Sequence, residues 1–216
     1  MAVITVERKI LEKNDAIANE IRHSFQEKNI FSINLVSSPG SGKTSLVEQT
    51  INLAKDKFNI AVIEGDVQTS LDAERIGVFN IPVVQIITNG SCHLEANLVK
   101  DAYKQLEDKE FDLLIIENVG NLVCPAGYDL GEDYKVVIVS TTEGDDKPLK
   151  YPAMFRNASA LVINKIDLLP YVKCSLETLR ENALSINPNL KIFEISCTKD
   201  TGLNEWIEWL QSHLKK

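Results

Sequence analysis

The sequence lacks any apolar run long enough to cross a bilayer, and its first residues show neither such a run nor a small-residue cleavage site. That absence predicts a cytoplasmic chain without signal peptide or membrane span. Cysteine is scarce, with four in all and no CxxC pair. A disulfide framework is not expected where thiols stay reduced, so the four read as metal ligands or small packed side chains. Basic residues are outnumbered, 23 Lys and Arg against 31 Asp and Glu. The resulting net charge of −8 argues against a broad surface for nucleic acid or anionic membrane. Repeats, low-complexity tracts and linkers are missing as well. What remains is an ordinary balance, 44% hydrophobic and 25% charged over 216 residues, which suits one α/β domain better than two.

One stretch organises the rest. Ser37-Ser38-Pro39-Gly40-Ser41-Gly42-Lys43-Thr44 follows an apolar run from Ile30 to Val36 and opens into a helical pattern from Ser45 to Ala54. Strand, Gly-rich loop and helix in that order make a P-loop. Backbone amides from Gly40 to Ser45, with the helix N-terminus, would cradle phosphates. Lys43 would reach the β- and γ-phosphates, and Thr44 would ligate Mg²⁺. Ser37 stands where the first glycine of GxxxxGK[ST] is expected.

Ahead of the P-loop, Ile10, Leu11, Ile17, Ile21 and Phe25 are spaced as one face of an amphipathic helix over 6–28, with His23 on the solvent side or as a cap. This sets residues 1–29 as an N-terminal helix packed on a P-loop domain over 30–216. Further buried strands are expected at 59–64, 83–87, 111–117, 136–140, 160–164 and 191–195. Helices are expected at 92–106, 148–157, 175–186 and 203–214, with a loop or short helix over 67–80 and a long loop from Asn118 to Gly131. Continuous apolar strands alternating with helices predict a three-layer α/β P-loop fold with a mostly parallel sheet. The motifs each follow a strand, so they should meet on the edge formed by the strand C-termini.

Asn164-Lys165-Ile166-Asp167 fits guanine recognition. The Asp167 carboxylate would accept N1–H and the exocyclic amine, Asn164 would tie loops together, and the Lys165 stem would cover the purine. Ser196 and Cys197 follow the last strand, where a backbone N–H could meet guanine O6; Cys197 reads equally well as a packed side chain. Asp66 and Glu117 end apolar strands and are candidates, with Lys43, for catalysis and, with Thr44, for holding Mg²⁺. No glutamine follows Glu117 in a DxxGQ-like pattern, so slow intrinsic turnover is expected. Cys92, His93 and Cys124 carry the donors that Ni²⁺ and Zn²⁺ select. Spacing alone favours two buried cysteines and a helix-capping histidine.

SSPGSGKT (37–44), EGDVQTSLDAERI (64–76), NGSCHLEA (89–96), IIENVGNLVCPAGYDLGE (115–132), EGDDKPLKYPAMF (143–155) and NKIDLLPY (164–171) together resemble the hydrogenase nickel-incorporation GTPases of the HypB/UreG family. The resemblance spans nearly the whole chain. It implies a GTP-hydrolysing metallochaperone with Cys92, His93 and Cys124 as Ni²⁺ or Zn²⁺ ligands at the interface of a GTP-favoured homodimer. Implied partners are a small zinc-containing accessory protein of the HypA type and a hydrogenase large-subunit precursor. Lys147, in the GDDKP run, is a candidate contact to nucleotide or the facing subunit. The urease-type GTPases share the fold but carry Cys-Pro-His instead, and some relatives have a cysteine- or histidine-rich N-terminus. Here residues 1–30 hold no cysteine and only His23. A urease-type nickel-insertion GTPase and, less well supported, a P-loop small-molecule kinase are the alternative readings.

Overall fold

The structure, a computed structural model, describes residues 6–214. Residues 1–5 and 215–216 of the two expected segments lie outside the described residues. The sheet has seven parallel strands in the order β3-β2-β4-β1-β5-β6-β7. They are β1 (Phe31–Ser37), β2 (Ile60–Asp66), β3 (Val83–Ile87), β4 (Leu113–Glu117), β5 (Tyr134–Ser140), β6 (Ala160–Asn164) and β7 (Lys191–Glu194). The helices are α1 (Val6–Glu27), α2 (Lys43–Ala54), α3 (Leu71–Gly77), α4 (Ala96–Lys104), α5 (Lys147–Lys150), α6 (Pro152–Arg156), α7 (Leu176–Ile186) and α8 (Leu203–His213).

Strand residues alternate between two covered faces because successive side chains point opposite ways. Ile33, Leu35, Ile60, Val62, Leu113, Ile115, Val136 and Ile138 pack with Leu46 and Ile51 of α2 and Trp206 of α8. Ala61, Ile63, Leu114 and Ile116 pack the other way, under Ala18, Ile21 and Phe25 of α1 and Val99 and Tyr103 of α4. Val137, Val139, Leu161 and Ile163 continue that second face beneath Phe155 and Leu179.

The central strand breaks the apolar rule. Ser32 and Asn34 of β1 are fully buried and polar. Asp133 accepts from the Ser32 amide and hydroxyl at 2.9 and 3.1 Å, and Glu132 accepts from Asn34 Nδ2 at 3.1 Å. Asn34 Oδ1 in turn accepts from Asn118 Nδ2 at 3.2 Å. Buried polar groups persist in this way only when each finds a partner.

Strand ends shift by one or two residues from the sequence expectation, and three larger departures have local causes. The helix expected from Cys92 begins at Ala96, because the Leu94 amide goes to Asn118 Oδ1 at 3.0 Å and the Ala96 amide to Asn14 Oδ1 at 2.8 Å. Cys92 and His93 therefore sit on a loop. The segment 148–157 divides into two short helices at Tyr151, where Pro152 cannot supply a continuing amide. A 3-10 turn, Cys124–Gly127, interrupts the long loop after β4.

Candidate nucleotide and metal site

The P-loop leaves β1 and enters α2 at Lys43. Gly40 and Gly42 turn it through positive φ of 77° and 97°, and a Cβ on Gly42 would strike the Asn164 amide. Ser37 has a use at its unexpected position. Its hydroxyl oxygen accepts from Lys43 Nζ at 3.0 Å and donates to the Ser38 carbonyl at 2.6 Å. Two neighbours brace the loop. Ser41 Oγ donates to Glu143 Oε1 at 2.6 Å, and Asn164 Nδ2 donates to the Ser41 carbonyl at 3.0 Å.

Asn164 thus joins three loops, since its Oδ1 also accepts from the amides of Lys165 at 2.7 Å and Cys197 at 3.4 Å. Asp167 Oδ1 accepts from Ser196 Oγ at 2.5 Å. Lys165 donates to the Gly40 carbonyl at 2.7 Å, so its stem runs along the P-loop. The Cys197 amide, expected to be open, is engaged with Asn164, and burial pushes its thiol up to about 11. That thiol packs in the core. Lys147 lies 3.7 Å from Glu143 and over the Tyr151 ring.

A cavity of about 490 Å³ opens above the P-loop, lined by Gly40, Gly42, Lys43, Thr44, Ser45, Asp66, Asp72, Arg75, Glu117, Gly120 and Lys165, among others. Carboxylates crowd its floor. Glu64 and Glu117 are partners in the β2–β4 register, and both are buried. Glu117 Oε1 accepts from Thr44 Oγ1 at 2.8 Å, while Glu117 Oε2 and Glu64 Oε2 have no partner. Burial, with Glu117 alongside, pushes Glu64 up to about 8; burial raises Glu117 to about 7 against the pull of Lys43. Asp66 behaves differently. Burial would raise it, but the Thr69 and Gln68 amides hold it below its ordinary value. Two orphaned buried oxygens beside a threonine hydroxyl suit a divalent cation.

This pair sets a pH dependence. From about 4.5, the ordinary carboxyl value, to about 8, the unfolded chain releases protons that the folded chain keeps. Stability of the nucleotide-free protein should fall as pH rises through that window and level off above it. Glu64→Gln removes much of the effect. The melting temperature of the variant should gain on wild type from about pH 4.5 to about pH 8.5, and a constant difference would rule out a Glu64 held protonated.

On the same edge, Cys92, His93 and Cys124 each bring a donor atom within 4.8 Å of the other two. Cys92 Sγ is 3.7 Å from His93 Nδ1, and the imidazole packs on Tyr128 with ring centroids 4.1 Å apart. His93 Nε2 is buried without a hydrogen-bond partner. Burial lowers the His93 pKa, leaving the neutral ring that a metal needs. The Cys92 thiol is raised, first by its hydrogen bond with Cys124 and then by burial. Two sulfurs and a ring nitrogen fit a soft or borderline metal and supply three of the four ligands of a closed site.

Glu64, Asp72, Arg75, Asn118 and Glu143 were not among the expected site residues. Arg75 bridges α3 to α2 through Glu48 at 2.7 Å and pairs within α3 with Asp72 at 3.0 Å. The available signal was charge inside an apolar run, as in Ala61-Val62-Ile63-Glu64-Gly65-Asp66.

A backbone cradle at the mouth of α2, with Asn164 tying it to a second turn at the same sheet edge, defines a P-loop nucleotide-binding domain. The family description "CobW/HypB/UreG, nucleotide-binding domain" matches residues 31–194. Hydrogenase maturation factor HypB of Azotobacter vinelandii is 49% identical over 209 residues, which is 97% of this chain and 69% of that protein. The crystal structure of HypB from Archaeoglobus fulgidus superposes with a TM-score of 0.89 at 40% identity, covering 94% of this chain and all of that one. HypB from Helicobacter pylori, solved in complex with nickel, gives 0.88 at 36%, covering 94% and 98%. The chain belongs to the CobW/HypB/UreG family and, within it, to the HypB hydrogenase maturation factors.

Proposed function

We propose that this protein is a GTP-hydrolysing metallochaperone that binds nickel, or zinc in its place, and delivers nickel during maturation of a nickel–iron hydrogenase. The observation that carries this reading is the convergence of Cys92, His93 and Cys124 on the sheet edge that also carries the P-loop. Cys124 lies on the loop that leaves β4 just after Glu117, and Glu117 accepts the Thr44 hydroxyl. The nickel complex of the Helicobacter pylori relative supports nickel as the cargo.

In this reading Asp167 selects guanine and Lys43 neutralises charge on the β- and γ-phosphates. Thr44, Asp66 and Glu117 would hold Mg²⁺, which would supply charge stabilisation at the phosphates. Hydrolysis gives GDP and phosphate. Each chain offers three metal donors, so a two-fold dimer favoured by GTP would bring six to its interface. A HypA-type accessory protein and the hydrogenase large-subunit precursor are the expected partners. No helix among the described residues is long and apolar enough to cross a membrane, in keeping with a cytoplasmic role.

The test is titration with Ni²⁺ and Zn²⁺ under GDP and under a non-hydrolysable GTP analogue, with mass in solution followed throughout. Metal affinity and dimer fraction should change together with nucleotide. Failure to bind metal in either state would leave Cys92, His93 and Cys124 without a metal role and remove the delivery role.

A further inference from the structure

Histidine offers a metal either of two ring nitrogens, and the partner of the other one decides how firmly the ring is held. The two nitrogens of His93 have different surroundings. Nδ1 lies 3.7 Å from Cys92 Sγ. A sulfur and an imidazole nitrogen that share one tetrahedral zinc, with bonds of ordinary length, stand about 3.6 Å apart. Nδ1 is thus already at ligand spacing from the thiol. Nε2, on the far side of the ring, is buried and has no hydrogen-bond partner. Glu95 Oε1 stands 3.9 Å from it.

The backbone places Glu95 for this role. The Leu94 amide before it is held by Asn118 Oδ1 at 3.0 Å, and the Ala96 amide after it by Asn14 Oδ1 at 2.8 Å. Glu95 is the N-cap of α4, a position that favours Ser, Thr, Asn or Asp, whose short side chains accept from the first turn. Glu95 makes no such bond, so its carboxylate remains available to the imidazole. Its side chain is 40% exposed and has room to turn, whereas that of His93 is 13% exposed and packs on Tyr128.

We propose that Glu95 is a positioning residue of the metal site: it accepts Nε2–H of His93 and commits Nδ1 to the metal beside Cys92. This rests on the reading of Cys92, His93 and Cys124 as metal ligands, and it names the group that orients one of them. A neutral imidazole carries one proton. Once Nδ1 bonds the metal, that proton sits on Nε2, where burial without an acceptor is costly. A carboxylate meets the need and makes the ring a stronger donor. With the metal on Nε2 instead, Nδ1–H would point at the Cys92 sulfur that the metal requires.

The experiment is nitrogen-15 NMR of the protein titrated with Zn²⁺, which is diamagnetic, together with Zn²⁺ dissociation constants for wild type, Glu95→Ala and Glu95→Gln. The chain has three histidines, so the His93 signals are readily assigned. In zinc-loaded wild type, Nδ1 should carry the metal-induced shift, and Nε2 should stay protonated with its proton protected from exchange. Glu95→Ala should bind Zn²⁺ about 10- to 100-fold more weakly and lose that protection. Glu95→Gln, which can still accept through its amide oxygen, should recover part of both. Zinc on Nε2, or a Glu95→Ala variant with wild-type affinity and protection, overturns the role of Glu95 and leaves the metal reading standing. Zinc bound with both His93 nitrogens unaffected overturns the proposal and removes His93 from the ligands. No zinc binding at all overturns both readings. Should Glu95→Ala fail to fold, the wild-type spectrum and Glu95→Gln decide: a Gln variant equal to wild type in both measurements overturns the proposal.

Discussion

Asp167→Asn is expected to weaken GTP binding by roughly 10- to 1,000-fold, the cost of losing a charge-assisted bidentate pair. The carboxylate can accept two donors from one edge of guanine. An amide in its place turns an NH₂ group toward one of those donors, so attraction becomes repulsion. The fold should tolerate the change, because asparagine can still accept the Ser196 hydroxyl that Asp167 now holds at 2.5 Å. The same reversal predicts a gain for xanthosine triphosphate, whose base offers a carbonyl where guanine has its amine. Competition binding against both nucleotides checks the two arms. Unchanged GTP affinity with no gain for the xanthine analogue would remove Asp167 from base recognition.

Cys92→Ala and Cys124→Ala should each weaken Ni²⁺ and Zn²⁺ binding by more than about 100-fold, above the range seen when only an outer partner of a ligand is lost. GTP binding should persist in both. Each thiol faces the other's donor atom within 4.8 Å, and neither lines the nucleotide cavity. Metal must also displace a proton from Cys92, whose pKa the hydrogen bond with Cys124 and then burial raise. Wild-type affinity should therefore climb as pH rises through the neutral range. Calorimetric titration at several pH values measures both effects. Undiminished metal binding by either variant would show that its missing sulfur is no ligand.

Much of the fold was legible because parallel strands covered on both faces read as unbroken apolar runs. The strand Ala160–Asn164 and the P-loop helix stand where their patterns placed them. The polar column through β1 was not legible. Ser32 and Asn34 sit inside Phe31-Ser32-Ile33-Asn34-Leu35, where alternation looks like tolerated impurity until Glu132 and Asp133, about a hundred residues away, are seen to cover it. Helix α4 was overextended for a similar reason. Nothing local announces that the Leu94 and Ala96 amides are claimed by Asn118 and Asn14. The meeting of Cys92, His93 and Cys124 followed from topology, since both segments leave strands on one edge, whereas their spacing pointed the other way. Glu64 was passed over as the end of a strand, although a charge between Ile63 and Gly65 on a buried strand needs a reason.

The column of Glu132, Asn34 and Asn118 also bears on how this sequence can change over generations. A substitution of Asn34 by valine suits the strand pattern, yet it leaves Asn118 Nδ2 without its acceptor and takes from Glu132 Oε1 the amide donor that it holds beside Lys135. Neighbours that satisfy one another are energetically coupled, so the cost of a change at one depends on the other two. Drift at these positions should therefore be slow and correlated. Selection for heat tolerance in the laboratory should accordingly gather its first improvements on the helices and leave this column for last.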